Sequence, residues 1–270
     1  MSIMNQNNAI ESDSLISVMA SEKIDVTLSP ADVTDLPALA EINRDAYSRE
    51  TVAMIAFKNW PDETNMFNFF KFRIKERMET PNTLVLKATV GTAEIAGFVC
   101  FTRENGKGDG KPGLEAPVPN PTEKALQEFR QIPDFFNMEF ILGTQNEVGH
   151  MSRLINGMKH YCEWVFQTGR YRLFLTKLDL SNFVVAPKYQ GRGIGSKLLH
   201  QCLEIADKDG LPTWLGAFPG SHNLYLRFGF EDVEHQDIDL NKWDHYRFRG
   251  FGIYRNYSMV RQPKSPNSIT

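Results

Sequence analysis

The residues best suited to chemistry lie in a glycine-rich segment from Gln190 to Gly195, QGRGIG. The segment follows a strand-like stretch from Leu173 to Val185, which Ala186 and Pro187 end, and it precedes an amphipathic helix. A glycine-rich turn between a strand and a helix leaves backbone N–H groups unpaired at the positive end of the helix dipole. The segment therefore predicts a binding site for a phosphate group.

The spacing of the glycines excludes two common nucleotide-binding motifs. Glycines stand at 191, 193 and 195, so the G-x-G-x-x-G dinucleotide fingerprint fails at Ser196. The P-loop pattern fails because Lys197 follows a serine and precedes a leucine. A different nucleotide phosphate site stays open as an alternative, although no acidic Mg²⁺ site is identified. The segment does fit the pattern Q/R-x-x-G-x-G/A.

Strands and helices alternate along the part of the chain that must hold this segment. A strand is predicted at Ile24–Leu28, a hairpin at Leu84–Thr89 and Ile95–Thr102 around Gly91, and a later strand at Pro212–Ala217. One helix is predicted with an apolar face of Leu36, Leu39, Ile42 and Tyr47. A second helix is predicted from Asp62 to Met78. Its basic residues are expected to form a solvent-exposed face, and the alternative is that they bind phosphate: Lys71, Arg73, Lys75 and Arg77.

The remaining segments predict one domain with an insertion and two flexible ends. A loop rich in glycine and proline runs from Arg103 to Pro121, and helical spacing resumes from Asn146 to Gln167, so a helical insertion is expected over about 103–170. The domain itself is expected over 24–261. Residues 1–23 are predicted to be a disordered leader, and the polar tail that starts at Arg261 is predicted to be flexible over 262–270.

Composition excludes several classes of function. The 270 residues carry a net charge of −3, which provides no basic field for nucleic acid or an anionic membrane surface. No apolar run approaches the roughly 18 residues of a membrane span, and the first residues lack the features of a secretory or transit signal, so a cytoplasmic location is expected. The three cysteines form no C-x-x-C pair, so buried free thiols and no metal site are predicted.

Two segments together resemble a known superfamily. VVAPKYQGRGIGSKLL, residues 184–199, resembles the acetyl-CoA-binding motif of the GNAT superfamily of N-acyltransferases. Further on, NLYLRFGF, residues 223–230, resembles that family's second signature, L-Y-x-x-x-G-F. The predicted N-terminal strand, helices and hairpin match the family's layout, so the resemblance spans roughly Ile24 to Arg261. The segment DKDGLP, residues 207–212, resembles the corresponding segment of uncharacterised fungal members of the family.

The resemblance implies a fold and a cosubstrate. The fold would be α/β: a central, mostly antiparallel twisted sheet flanked by helices. Acetyl-CoA would be the cosubstrate, and no metal is implied. Gln190 would brace the turn, while Phe183, Val184 and Val185 would offer their backbone to the pantetheine arm as an added strand would. The amide of Val185 would also polarise the thioester carbonyl. The pyrophosphate would lie on the turn that Gly191 opens, held by the amides of Arg192, Gly193, Ile194, Gly195 and Ser196.

The resemblance also implies an acid and a base. Tyr225 is proposed to protonate the departing thiolate, since a phenol and a thiolate have comparable basicity; the alternative is a helix residue that only packs on the core. Asp179, four residues before Phe183, is proposed as the base, and a surface or salt-bridged aspartate is an equal alternative. One departure is Phe218, which replaces an asparagine of the family and predicts an aromatic wall.

The leading interpretation is an enzyme that transfers the acetyl group of acetyl-CoA directly to a primary amine of a small molecule. The acceptor cleft would be lined by 45–51 and by the aromatic-rich stretch 237–257, where carboxylates and aromatic rings would suit a small cationic amine. Acetylation of a protein lysine or N-terminus is an alternative, as is a CoA-binding module without catalysis. A homodimer, common in the family, is left open.

Overall fold

Eight strands form one mixed sheet within the residues that the computed structural model describes, which are 24–80, 82–104, 136–137, 139–140, 144, 160–162, 182–244 and 250–264. The strands are β1 (Val26–Pro30), β2 (Thr83–Val90), β3 (Glu94–Glu104), β4 (His160–Cys162), β5 (Val184–Val185), β6 (Thr213–Ala217), β7 (Glu231–Asp239) and β8 (Ile253–Arg261). The sheet order is β1-β2-β3-β4-β6-β8-β7, and β5 pairs with β3 outside this path. Among these strands only β4 and β6 pair in parallel, which confirms the predicted mostly antiparallel sheet.

Helices cover both faces of the sheet. The helices are α1 (Leu36–Tyr47), α2 (Ala53–Ala56), α3 (Glu63–Glu79), α4 (Ile194–Asp209) and α5 (Pro219–Arg227). Along β2, Val85 belongs to the buried cluster on the side of α1 and α3, whereas its neighbour Leu86 belongs to the cluster under α4. This alternation follows from the two-residue period of a strand. No helix within the described ranges combines the length and the apolar character needed to cross a membrane.

Both predicted N-terminal helices follow an aspartate that caps a helical turn. Asp32 accepts a hydrogen bond from the Thr34 amide at 2.7 Å and caps the 3-10 turn Val33–Asp35, which leads directly into α1. Asp62 accepts one from the Asn65 amide at 2.9 Å and caps α3 itself. The predicted apolar face of α1 is buried: Leu36, Leu39, Ile42 and Tyr47. The hairpin of β2 and β3 around Gly91 is also confirmed.

The basic residues of α3 differ from the predicted solvated face. Lys71 and Lys75 are exposed, but Arg73 and Arg77 are only 2% and 3% exposed. Burial, together with the charge of Arg77, lowers the pKa of Arg73 well below its usual value. The same region buries the thiol of Cys100 and raises its pKa to about 12. Cys100 and Cys202 are the buried free thiols that were predicted; the side chain of Cys162 lies outside the described residues.

Two predictions between β3 and α4 need correction or stay untested. His160–Cys162 was expected in a helix but forms β4, because its backbone pairs with β3 on one side and with β6 on the other. The predicted strand over 173–185 is a strand only at Val184–Val185 among the described residues, since 163–181 lie outside them. The helical insertion lies mostly outside them as well. From that stretch, Phe136 is buried against Phe57 and Phe69 of the α1–α3 side.

β8 ends in a buried ion pair at its last residue, Arg261. Arg261 is 4% exposed and donates to both carboxylate oxygens of Asp207 on α4, at 2.7 and 2.8 Å. It also donates to the carbonyl of Phe228 at 3.1 Å, immediately after α5. Lys264 adds its amide to Asp207 at 2.8 Å. Arg261 therefore ties β8, α4 and the end of α5 together.

We predict that Arg261→Met lowers the free energy of unfolding by about 2–4 kcal/mol, because Asp207 and the Phe228 carbonyl lose charge-assisted partners in a half-buried site. The matched control is Arg255→Met, which breaks an equally bidentate pair with Asp237 on the exposed surface; little change is expected there. Urea unfolding of both variants makes the measurement. Equal effects of the two substitutions would contradict the account.

The stability that the Arg261–Asp207 pair contributes depends on pH. Burial alone would raise the pKa of Asp207, but the hydrogen bonds from Arg261 and the Lys264 amide lower it below its usual value. The pair's contribution is therefore present above the ordinary aspartate range and is lost as the pH falls through the lowered pKa. The gap between wild type and Arg261→Met should close in acid.

Candidate active site

The glycine-rich turn joins β5 to α4 and is braced by a side chain. A 3-10 turn at Pro187–Tyr189 follows β5, and Gln190 then donates from Nε2 to the carbonyl of Val185 at 3.0 Å. Gly191 and Gly193 have φ values of 75° and 79°, in the left-handed region that favours glycine. These two glycines therefore allow the backbone to turn sharply between the end of β5 and the start of α4.

The start of α4 presents free amides to the space in front of it. Gly193 caps the helix, and the first intrahelical bond runs from the Lys197 amide to the Gly193 carbonyl at 3.1 Å. The amides of Ile194, Gly195 and Ser196 precede that bond and have no intrahelical acceptor. A Cβ added at Gly191 or Gly193 would meet no atom within 4 Å, so the front of the turn is open. Open backbone amides at the positive end of a helix, here one of 16 residues, are the features typical of anion sites.

A cavity of about 640 Å³ runs from this turn to the end of α1. Its walls come from the residues before and in β5, from the first turn of α4, from α5 and from α1. Glu50 is the one carboxylate and Arg227 the one cation among the described residues that line it. The lining residues outside the glycine turn include Asn43, Tyr47, Glu50, Phe183, Val184, Val185, Phe218 and Tyr225.

The end of the cavity at α1 is aromatic and contains the carboxylate. Glu50 is half-buried, and its Oε2 accepts a hydrogen bond from the Tyr254 hydroxyl at 3.0 Å. Burial raises the pKa of Glu50, and the hydrogen bond from Tyr254 opposes that shift. The Phe218 ring lies between Tyr47 and Tyr254, with centroids 5.9 and 6.1 Å away. The aromatic wall predicted from Phe218 is thus present beside a carboxylate.

Tyr225 lies on α5 and is 1% exposed. It lines the cavity between the rings of Phe183 and Phe230, whose centroids are 6.1 and 5.6 Å away. Tyr225 both packs on the core and lines the cavity, so its role as an acid stays a prediction. His222, one turn earlier, stacks on Tyr257 and bonds to Asp232 at 2.8 Å, which anchors α5 to β7 and β8.

The other predicted site residues separate into three groups. Phe183 to Val185, Gln190, Gly191 and Gly193 to Ser196 line the cavity. Arg192 is not among the lining residues; its guanidinium lies over the ring of Tyr189, 5.8 Å from the centroid. Asp179 lies outside the described residues, so its role stays a prediction.

The stretch 237–257 supplies less of the cavity than the sequence suggested. Asp237 pairs with Arg255 on the surface, and Asp239 caps the short turn at Leu240–Lys242. None of the described residues of this stretch lines the cavity, and its contribution is the hydroxyl of Tyr254 on Glu50. Asp237 and Asp239 are therefore held by local partners and do not face the cavity.

The stretch 45–51, predicted to line the acceptor cleft, lines the cavity at Ala46, Tyr47 and Glu50. Sequence reasoning missed Asn43, which lies one helical turn before Tyr47 on α1, a spacing that could have indicated a shared face. Asn43 is buried and donates to Asn182 at 3.4 Å, which ties α1 to the residue before Phe183. The two sides of the cavity are therefore held together next to β5. Within the described part of the chain, no group of three or more side chains is arranged to hold a metal ion.

Comparisons with known proteins agree with this geometry. The family model described as "Acetyltransferase (GNAT) domain" matches residues 156–232, which contain the glycine turn and Tyr225. No curated protein matches the sequence.

Solved structures share the fold at low sequence identity. One is an arylalkylamine N-acetyltransferase 2 from Aedes aegypti, with a TM-score of 0.55 and 13% identity, covering 89% of this chain and 100% of that one. Another, described as histone acetyltransferase HPA2 and related acetyltransferase from Corynebacterium glutamicum, has a TM-score of 0.53 and 15% identity, covering 89% and 98%. Residues 156–232 thus match a GNAT acetyltransferase domain, and the chain shares its fold with these two solved acetyltransferases.

Proposed function

We propose that this enzyme transfers the acetyl group of acetyl-CoA directly to the primary amine of a small molecule. The observation that carries the proposal is the continuity of one cavity, from free amides at the start of α4 to the half-buried carboxylate of Glu50. One end suits a pyrophosphate and the other suits a cation. The two substrates can therefore bind next to each other in the same cavity, as direct transfer requires.

The residues present fit acetyl-CoA as the cosubstrate. The amides of residues 192–196 would hold the pyrophosphate, with Gly191 opening the turn and Gln190 bracing it. Among the described strands, Val184 and Val185 pair only with β3, so their other edge can bond the pantetheine amides as a neighbouring strand would. The cavity volume of about 640 Å³ is within the ordinary range for small-molecule sites.

Direct transfer needs one proton accepted and one donated. The amine nitrogen attacks the thioester carbonyl carbon, a C–N bond forms, and the C–S bond breaks. We assign Tyr225 as the donor to the leaving sulfur, because it lines the cavity beside Phe183. The amide of Val185 would polarise the carbonyl. Asp179 remains the base expected from the family resemblance.

The acceptor proposed is a small amine rather than a protein lysine. The cavity end at α1 is walled by Tyr47 and Phe218 with Glu50 beside them, which favours a compact cation carrying apolar or aromatic groups. The Aedes aegypti neighbour, named for arylalkylamines, has the same fold and is consistent with this class of substrate.

We predict that the purified enzyme, given acetyl-CoA, releases free thiol with small aromatic or apolar primary amines faster than with a lysine-containing peptide. Thiol release and the mass of the acetylated product provide the measurement, and the matching alcohols are the negative controls. A peptide acetylated with a higher kcat/KM than every small amine would favour the protein acceptor. Tight binding of acetyl-CoA without turnover of any amine or peptide would favour the module without catalysis.

We predict that Tyr225→Phe lowers kcat by about 10²-fold or more, the usual contribution of a positioned acid, while the affinity for acetyl-CoA changes little. Tyr257→Phe is the matched control, because Tyr257 stacks on His222 and does not line the cavity. Steady-state kinetics with one amine separates kcat from KM. Wild-type kcat in Tyr225→Phe would remove the acid role and leave Tyr225 as a packing residue.

A further inference from the structure

We propose that Glu50 binds the ammonium group of the acceptor and takes its proton, and that Tyr254 holds the carboxylate in position for both. This assignment rests on the proposed function. It places the base of the reaction on the segment just after α1, rather than on the residues that precede β5.

The position of Glu50 favours a cation. Glu50 lies just past the end of α1, and its amide donates to the Tyr47 carbonyl at 2.9 Å. The C-terminus of a helix carries a partial negative charge, so the carboxylate and the helix end attract an ammonium together. The rings of Tyr47 and Phe218 line the same end of the cavity and add an attraction for the cation at their faces.

The carboxylate has capacity for a ligand. An ionised carboxylate accepts up to about four hydrogen bonds, and Tyr254 supplies one, at 3.0 Å. No cation of the described residues lies within ion-pair distance of Glu50; its neighbour Arg44 is engaged with Asp45 at 2.7 Å. A half-buried carboxylate without a cation costs free energy, because its charged form is partly desolvated. An ammonium bound in the cavity would compensate that charge.

The electrostatic setting also suits a base. Burial raises the pKa of Glu50, which brings it closer to neutral pH, where a general base is most effective. The groups around it are Tyr254 on β8 and Tyr47 on α1, while Tyr225 and Arg227 on α5 line the same cavity. Tyr254 lowers the pKa of Glu50 through its hydrogen bond and fixes the side chain.

The protons balance in this scheme. The bound ammonium gives one proton to Glu50 and becomes a nucleophilic amine. When its nitrogen attacks, the C–S bond breaks, and Tyr225 donates a proton to sulfur. The nitrogen of the product still carries two protons, and it gives one of them to the Tyr225 phenolate, which restores the phenol. Glu50 then releases its proton to solvent, so the net products are the acetylamide, the free thiol and one proton.

The test compares Glu50→Gln with Glu50→Asp and with Glu41→Gln, an exposed carboxylate on α1 outside this cavity. We expect Glu50→Gln to lower kcat/KM for the amine by at least about 10²-fold and to raise the amine KM. Acetyl-CoA binding measured by calorimetry should be unchanged, the acidic limb of the kcat/KM profile should be lost, and Glu50→Asp should be intermediate.

Thermal unfolding separates this role from a structural one. The folded state holds the Glu50 proton to a higher pH than the unfolded chain does, so Glu50 contributes less stability as the pH rises through that window. At neutral pH, Glu50→Gln should therefore unfold at the wild-type temperature or above it. Loss of activity that coincides with a lower unfolding temperature and weaker acetyl-CoA binding would overturn the proposal.

Tyr254→Phe tests the positioning role while leaving the carboxylate in place. Because Tyr254 lowers the pKa of Glu50, its removal should move the acidic limb of the kcat/KM profile to higher pH and lower kcat by several-fold. An unchanged profile would remove Tyr254 from the scheme. Wild-type activity in Glu50→Gln would overturn the assignment and leave the proposed function intact, whereas a wild type that acetylates no amine overturns both.

Discussion

The site depends on the short pairing of β5 with β3. Two residues of β5 pair with Gly97 and Phe98, and a Cβ at Gly97 would lie 2.6 Å from the Val184 carbonyl oxygen, so this close approach requires glycine. Further along β3 the neighbour is β4, which continues to β6. Among the described strands, β5 therefore has one edge without a partner. An unpaired strand edge offers N–H and C=O groups to an extended ligand.

The elements around this edge each contribute one wall. Pro187 and the two left-handed glycines turn the chain at once into α4, so the free amides of the helix lie beside the unpaired strand edge. The α5 helix brings Tyr225 to the same space, and Arg261 fixes the end of α5 against α4. α1 closes the far end, since Asn43 is bonded to Asn182 next to β5. Stability and function are linked here because the same contacts hold the walls.

The parts that the sequence predicted are those determined by local patterns. The glycine turn, the amphipathic α4 and the β2–β3 hairpin follow from spacing and turn chemistry over a few residues. The stretch 45–51 was predicted to line the cleft, but Glu50 was not singled out within it, because its setting depends on Tyr254, which is 204 positions away along the chain. Arg73 and Arg77 were predicted on a solvent-exposed helix face but are buried, because tertiary packing decides which face of a polar helix is covered. β4 was predicted as helix because periodicity cannot register pairing with two distant strands.

Calorimetry of acetyl-CoA binding to Gly193→Asp and Gly193→Asn tests most directly whether the turn before α4 is the anion site. The two substitutions have nearly the same shape, and Asn and Asp both tolerate the left-handed backbone, so strain is matched while charge differs. The account predicts saturable one-site binding in the wild type, a modest loss in Gly193→Asn, and at least about tenfold weaker binding in Gly193→Asp than in Gly193→Asn, from repulsion of the pyrophosphate. Equal affinities in the two variants, or no binding to the wild type, would contradict it.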